Sequence, residues 1–163
     1  MAGPARITEY VAFGLLMALA AFGGLFIIGE TMADPGGVRG VLFVLAWLVP
    51  MAGLTFCAAR WPHAAAGVLT AAAAVVAVFV LLDAALRLRT GPVGFISVFA
   101  VAVPLGVLGL RRPVRAGWLL LAVGALLALS AGAAAVTVGL PVLLAGGLFL
   151  LSDRMQPKLP QSR

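Results

Sequence analysis

The sequence predicts an all-α integral membrane bundle of six transmembrane helices, arranged as three consecutive helical hairpins with the N- and C-termini cytoplasmic. Three observations carry that expectation. Hydrophobic residues make up 64% of the 163 and charged residues 10%, whereas a soluble domain has about 25% charged residues. The charges divide the chain into five apolar blocks, one of them too long for a single span. The basic residues also fall unequally on the two sides that six spans would create.

The first expected helix covers 10–29. It is close to the ~20 apolar residues that cross ~30 Å of hydrocarbon. A cleaved signal peptide is the competing reading, with Thr31-Met32-Ala33 as the small-residue site. The length of the apolar region and the acidic Glu9 just before it argue for a retained span.

The second helix covers 41–59, the third 64–84 and the fourth 93–110, each of spanning length. The block Ala116–Ser152 has 37 residues without a charge. As one helix it would be about 55 Å long, well beyond a bilayer. Two helices over 116–131 and 135–152, turning near Ser130–Ala135, fit better, with Ser130 and Gly132 as turn residues. Residues 153–163 are expected to form a disordered cytoplasmic tail, since they carry two prolines and two glutamines among charges.

Six spans place Arg6, Arg60, Arg111, Arg112, Arg115, Arg154, Lys158 and Arg163 on one side. Arg39, Arg87 and Arg89 lie on the other, and the excess marks the cytoplasmic side. Tyr10, Trp61 and Trp118 sit at the boundary of the basic side, where aromatic belts occur. Arginine dominates the basic residues, and alanine, glycine, valine and leucine dominate the rest, a composition expected of a GC-rich genome. The expected location is therefore a bacterial inner or plasma membrane. The net charge of +6 is scattered over short inter-helix segments, so nucleic acid is not an expected partner.

An internal repeat refines the plan. In GVRGVLFVLAWLVP and GPVGFISVFAVAVP, Gly37, Gly40, Val44, Ala46, Val49 and Pro50 match Gly91, Gly94, Val98, Ala100, Val103 and Pro104. The match runs backwards to Glu30 and Asp83, each ending an apolar helix. The third hairpin keeps only Pro141. Each proline frees the carbonyl four residues earlier, at Ala46, Ala100 and Thr137. A freed carbonyl is costly in lipid, so the even-numbered helices are expected to kink with these carbonyls facing the bundle interior. Such kinks either surround a path or belong to ordinary packing.

Glu30 and Asp83 are the candidate ligand or gating residues, because ionisable groups near a membrane are costly to keep. Their plainer role is to mark helix ends, with Asp83 and Arg87 spaced i,i+4 as a helical ion pair. His63 has no partner ligand nearby in sequence and Cys57 no visible base, so neither a metal site nor a nucleophile is expected. Thr55, Thr70, Ser97, Ser130 and Thr137 can each bond their own helix backbone. Enzyme signatures are missing from the chain, so no catalysis and no cofactor are expected.

Small residues recur every four positions at Gly124, Ala128 and Gly132, at Ala66, Thr70 and Ala74, and at Ala20 and Gly24. Such stripes let helices approach closely, within the chain or against another subunit. Arg111–Arg115 and the basic tail are expected to meet the anionic inner leaflet. Two function classes follow. One is an accessory or scaffold subunit that packs against other membrane subunits, or itself, in a larger assembly. The alternative is a small transporter or substrate-binding subunit with a pathway between proline-kinked helices. A polar solute needs a wet cavity near the midplane, which this sequence supplies sparsely, so the first class is favoured.

Overall fold

The computed structural model describes residues 3–34, 36–86, 92–130 and 132–156, with side chains at all of these save 83, 84, 92–96, 130 and 132–136. Among the described residues the chain is all helical. It runs α1 (Pro4–Ala33), α2 (Gly37–Arg60), α3 (Pro62–Leu86), α4 (Pro92–Gly109), α5 (Pro113–Ser130) and α6 (Gly132–Met155). Four of these helices, α1, α2, α3 and α6, contain stretches long and apolar enough to cross a membrane. α4 and α5 have 18 residues each, about 27 Å at 1.5 Å per residue.

The helices begin and end farther out than the apolar blocks. α1, α3, α4 and α5 each open on a proline. That residue suits a first turn, where its missing N–H has no intrahelical partner to lose. α1 therefore starts at Pro4 rather than 10. At its far end it runs past Glu30, which lies in the last turn and accepts a backbone bond from Asp34 at 2.9 Å. The long uncharged block divides into α5 and α6, with α6 starting at Gly132 rather than 135.

Three of the connections are short, and each has a local device. Gly36 and Gly37 take φ of 63° and 56° between α1 and α2, a region that costs a side chain energy and glycine little. Gly36 N–H bonds the Thr31 carbonyl at 3.1 Å and its own carbonyl receives Gly40 N–H at 3.1 Å, so one residue closes α1 and opens α2. Trp61 alone separates α2 from α3. It donates to the Cys57 carbonyl at 2.8 Å, accepts from Ala65 at 2.8 Å, and sets its ring edge-on to Phe56. At the α4–α5 corner Arg111 and Arg112 N–H both reach the Leu108 carbonyl, at 3.0 and 2.7 Å.

α4 is the centre of the bundle and touches all five other helices. Val98, Phe99, Val101, Ala102, Val103, Pro104, Leu105 and Leu108 are all buried. A helix apolar on every face can be enclosed in this way. The main core joins Leu16 of α1, Leu69 of α3, Leu105 of α4, Leu120 of α5 and Phe149 of α6. A second cluster packs Ile27, Trp47 and Phe99 together. Glycines make room for its rings: Gly23 lies under Phe99 and Gly24 under Trp47. Gly109 lies under Phe149 in the same manner on the other side of α4.

The expected hairpins are unequal. α5 and α6 form the most extensive helix pair, whereas α1 packs chiefly on α6 and α4, and α2 chiefly on α4. A short connection holds two helices together only near the turn, and beyond it the available partner surface decides. α1 and α2 meet mainly where Thr31 approaches Gly40 and Gly24 approaches Trp47.

The α5–α6 pair is built on a repeated spacing. Gly117, Leu121, Gly124 and Ala128 of α5 face Gly139, Leu143, Gly146 and Leu150 of α6. The intervals are four, three and four on both helices, the 3.5-residue period of a supercoiled pair. Leu143 fills the notch at Gly124, Leu150 the notch at Gly117 and Leu121 the notch at Gly146, while Ala128 covers Gly139. Small residues at such a seam let two backbones approach, and packing there supplies the attraction that lipid does not.

Candidate functional site

Two of the three packing candidates, Gly124 and Ala128, lie in the α5–α6 seam and are consumed inside the bundle. Gly132 does not continue their stripe. It falls at the first position of α6, where its surroundings lie outside the described residues. The better signal was the matched glycine–leucine spacing on both helices, which includes Gly117, Gly139 and Gly146. Of Ala66, Thr70 and Ala74 only Ala66 is buried, because α3 turns Ala65, Ala66, Leu69, Ala73, Val76 and Val80 inward.

The structure does not gather the three prolines. Each helix continues through its proline. Pro104 is fully buried in the central helix, Pro50 is exposed on α2 and Pro141 is half-buried on α6. Ala46 and Thr137 are exposed residues and Ala100 is half-buried. They do not line one interior, contrary to the expectation from the repeat. The reason is the position of their helices: α4 is enclosed by protein, whereas α2 lies at the edge and presents one face outward.

Glu30 is exposed at the end of α1. Asp83 is placed in α3 by the backbone, and its side chain and Arg87 lie outside the described residues. Hydroxyls within the helices bond their own backbone: Thr31 to Ile27, Thr55 to Met51 and Thr70 to Ala66, each at 2.7 Å. His63 is exposed and Cys57 half-buried. Among the described residues no three His, Cys, Asp or Glu side chains converge.

The feature the sequence did not disclose is an apolar cleft of about 480 Å³ between α1 and α2. Met17, Gly24 and Ile28 form one wall, Trp47 and Met51 the other, and Val103 of α4 the floor. It exists because α1 and α2 part company beyond their turn, each drawn to a different neighbour. Trp47 is 6% exposed, and among the described residues its Nε1–H finds no hydrogen-bond partner. A buried donor without an acceptor costs about 1–3 kcal/mol. Two methionines in the walls give the cleft adaptable, polarisable surfaces.

α2 is the least enclosed of the long helices. Of its 24 residues only Gly40, Trp47 and Ala58 are buried. Phe43, Leu45, Val49 and Phe56 are exposed along it. No family model, curated protein or solved structure matches the chain.

Proposed function

We propose that this protein is a six-span membrane protein that acts as an accessory or scaffold subunit, with the α1–α2 arm as its contact with a larger membrane assembly. In this reading both termini lie on the cytoplasmic side. Arg6, Arg111, Arg112 and Arg115 gather at one end of the bundle, which supports that sidedness. α4 and α5 span with 18 residues each by virtue of local thinning and flanking arginines.

The observation that carries the reading is the unequal use of small-residue packing. α5 and α6 use their glycines on each other, while α2 leaves most of its length unpacked beside an open apolar cleft. The occupant that fits is an apolar membrane helix of a partner polypeptide, laid along Gly24, Leu48 and Met51 in the cleft. The transporter reading draws less support, because its prolines are dispersed and the centre of the bundle is filled by Leu16, Leu69, Leu105 and Leu120.

The test is photocrosslinking in native membranes from a reactive residue placed at Phe43 or Val49, followed by gentle detergent extraction. A crosslinked second polypeptide that co-purifies with the protein is the expected result. A monomer without crosslinks or companions at either position overturns the proposal.

A further inference from the structure

The start of α1, the α4–α5 corner and the end of α6 enclose a second cleft, of about 510 Å³. Its chemistry is opposite to that of the first. Arg6, Arg111, Arg112 and Arg115 line it together with two acids, Glu9 and Asp153. We propose that this cleft binds the phosphate of an anionic phospholipid headgroup.

Four guanidiniums against two carboxylates leave a formal charge of +2 in the cleft. Among the described residues none of these arginines is ion-paired. Glu9 lines the same cleft at 8% exposure, and its carboxylate is bound to Gln156 Nε2 at 3.0 Å rather than to an arginine. The guanidinium donors therefore remain free, and a planar fork of N–H groups matches phosphate oxygens better than a point charge does. The first turn of α5, at Pro113–Arg115, also opens into the cleft. Pro113 has no N–H and Ala116 N–H bonds the Arg112 carbonyl, so the N–H groups of Val114 and Arg115 are those without an intrahelical acceptor, and they favour an anion.

Depth selects a lipid over a soluble ester. Tyr10, adjoining Glu9, is 60% exposed, and Trp118, one turn along α5 from Arg115, is 63% exposed. Aromatic residues with an apolar body and a polar edge settle at headgroup level. Immediately beyond them α1 and α5 become uncharged, so a lipid whose phosphate sits among the arginines has its acyl chains against apolar helix. Basic pockets between helices at this depth suit anionic headgroups. The volume lies within the ~300–1,000 Å³ of small-ligand sites.

The experiment uses the full chain in lipid nanodiscs, comparing neutral phosphatidylcholine with the same lipid plus phosphatidylglycerol. The readouts are the thermal unfolding midpoint and native mass spectrometry of retained lipid. The wild-type protein should gain stability from phosphatidylglycerol and retain it on release. In Arg112→Gln and Arg115→Gln variants the apparent affinity should fall about fivefold per arginine. Arg60→Gln, outside the cleft, should keep the full gain. Equal loss in Arg60→Gln would reduce the effect to general surface charge and overturn the site. Equal stabilisation by soluble glycerol phosphate in neutral nanodiscs would overturn the lipid as its ligand. If the glutamine variants fail to fold, Arg112→Lys provides the comparison: it keeps the charge and loses the fork, so unchanged lipid retention would overturn the assignment to the guanidinium.

Discussion

Gly117 and Gly146 face each other across the α5–α6 seam so closely that a Cβ added to either would stand 2.9 Å from the other's carbonyl oxygen. The contact is reciprocal and the obstacle is backbone, which cannot rotate away as a side chain can. Gly146→Ala should therefore destabilise the bundle by about 1–3 kcal/mol, as overpacking does. At its neighbour Gly147 an added methyl would meet nothing within 4 Å. Gly147→Ala should be neutral or stabilising by up to about 1 kcal/mol, because alanine favours helix over glycine. Reversible unfolding in mixed detergent micelles measures both, and similar effects from the two would contradict the seam.

Gly109 and Phe149 make the same kind of pair with a side chain in place of backbone. A methyl on Gly109 would overlap the Phe149 ring. Gly109→Ala should destabilise, and Phe149→Leu should relieve part of that loss when the two are combined. A double-mutant cycle should give a coupling of about 0.5–3 kcal/mol, and strict additivity would show that the ring does not occupy the notch.

The α1–α2 turn makes a conformational demand. Gly36 has φ of 63° and ψ of −174°, a combination nearly reserved for glycine. A Cβ there would also meet the Met32 carbonyl oxygen at 2.9 Å. Gly36→Ala should cost about 1–3 kcal/mol. Gly37→Ala has open space around it and should cost about 1–2 kcal/mol from its left-handed backbone alone. The ratio of folded to unfolded protein on the same micelle titration separates them.

Trp47 offers a test that distinguishes the isolated protein from an assembled one. In the isolated protein Trp47→Phe removes a buried donor that has no acceptor and should cost less than about 1 kcal/mol or stabilise, whereas Trp47→Ala should cost about 3–5 kcal/mol. In native membranes Trp47→Ala, which removes part of the cleft wall, should weaken the crosslink from Val49 to the partner helix. An undiminished crosslink would show that the partner does not use this wall.

Helix number was legible because length is an absolute constraint: 37 uncharged residues exceed a bilayer, and the break falls between Ser130 and Gly132. Helix ends were less legible. The apolar blocks mark hydrocarbon, while Pro4, Pro62 and Pro113 mark where the backbone becomes helical. The centrality of α4 was hidden for a deeper reason. In water an apolar face is a buried face, but in lipid Val49 on the outside of α2 and Val98 at the centre of α4 are equally at home. The cleft beside Trp47 was hidden too, since it arises from α1 and α2 choosing different neighbours. The glycine seam could have been read in full, had the 3.5-residue spacing of Gly139–Leu150 been set against that of Gly117–Ala128.

The bond between Gln156 and Glu9 joins residues 147 positions apart, and α6 is the most extensive neighbour of α1. Time enters here. A ribosome adding about 5–20 residues per second delivers that last partner roughly 6–24 s after α1 is made. Throughout that interval α1 lacks its most extensive partner and is held only by the helices that arrive earlier. α6 is thus the keystone of assembly, and the waiting period is when membrane chaperones and proteases have their opportunity to judge the chain.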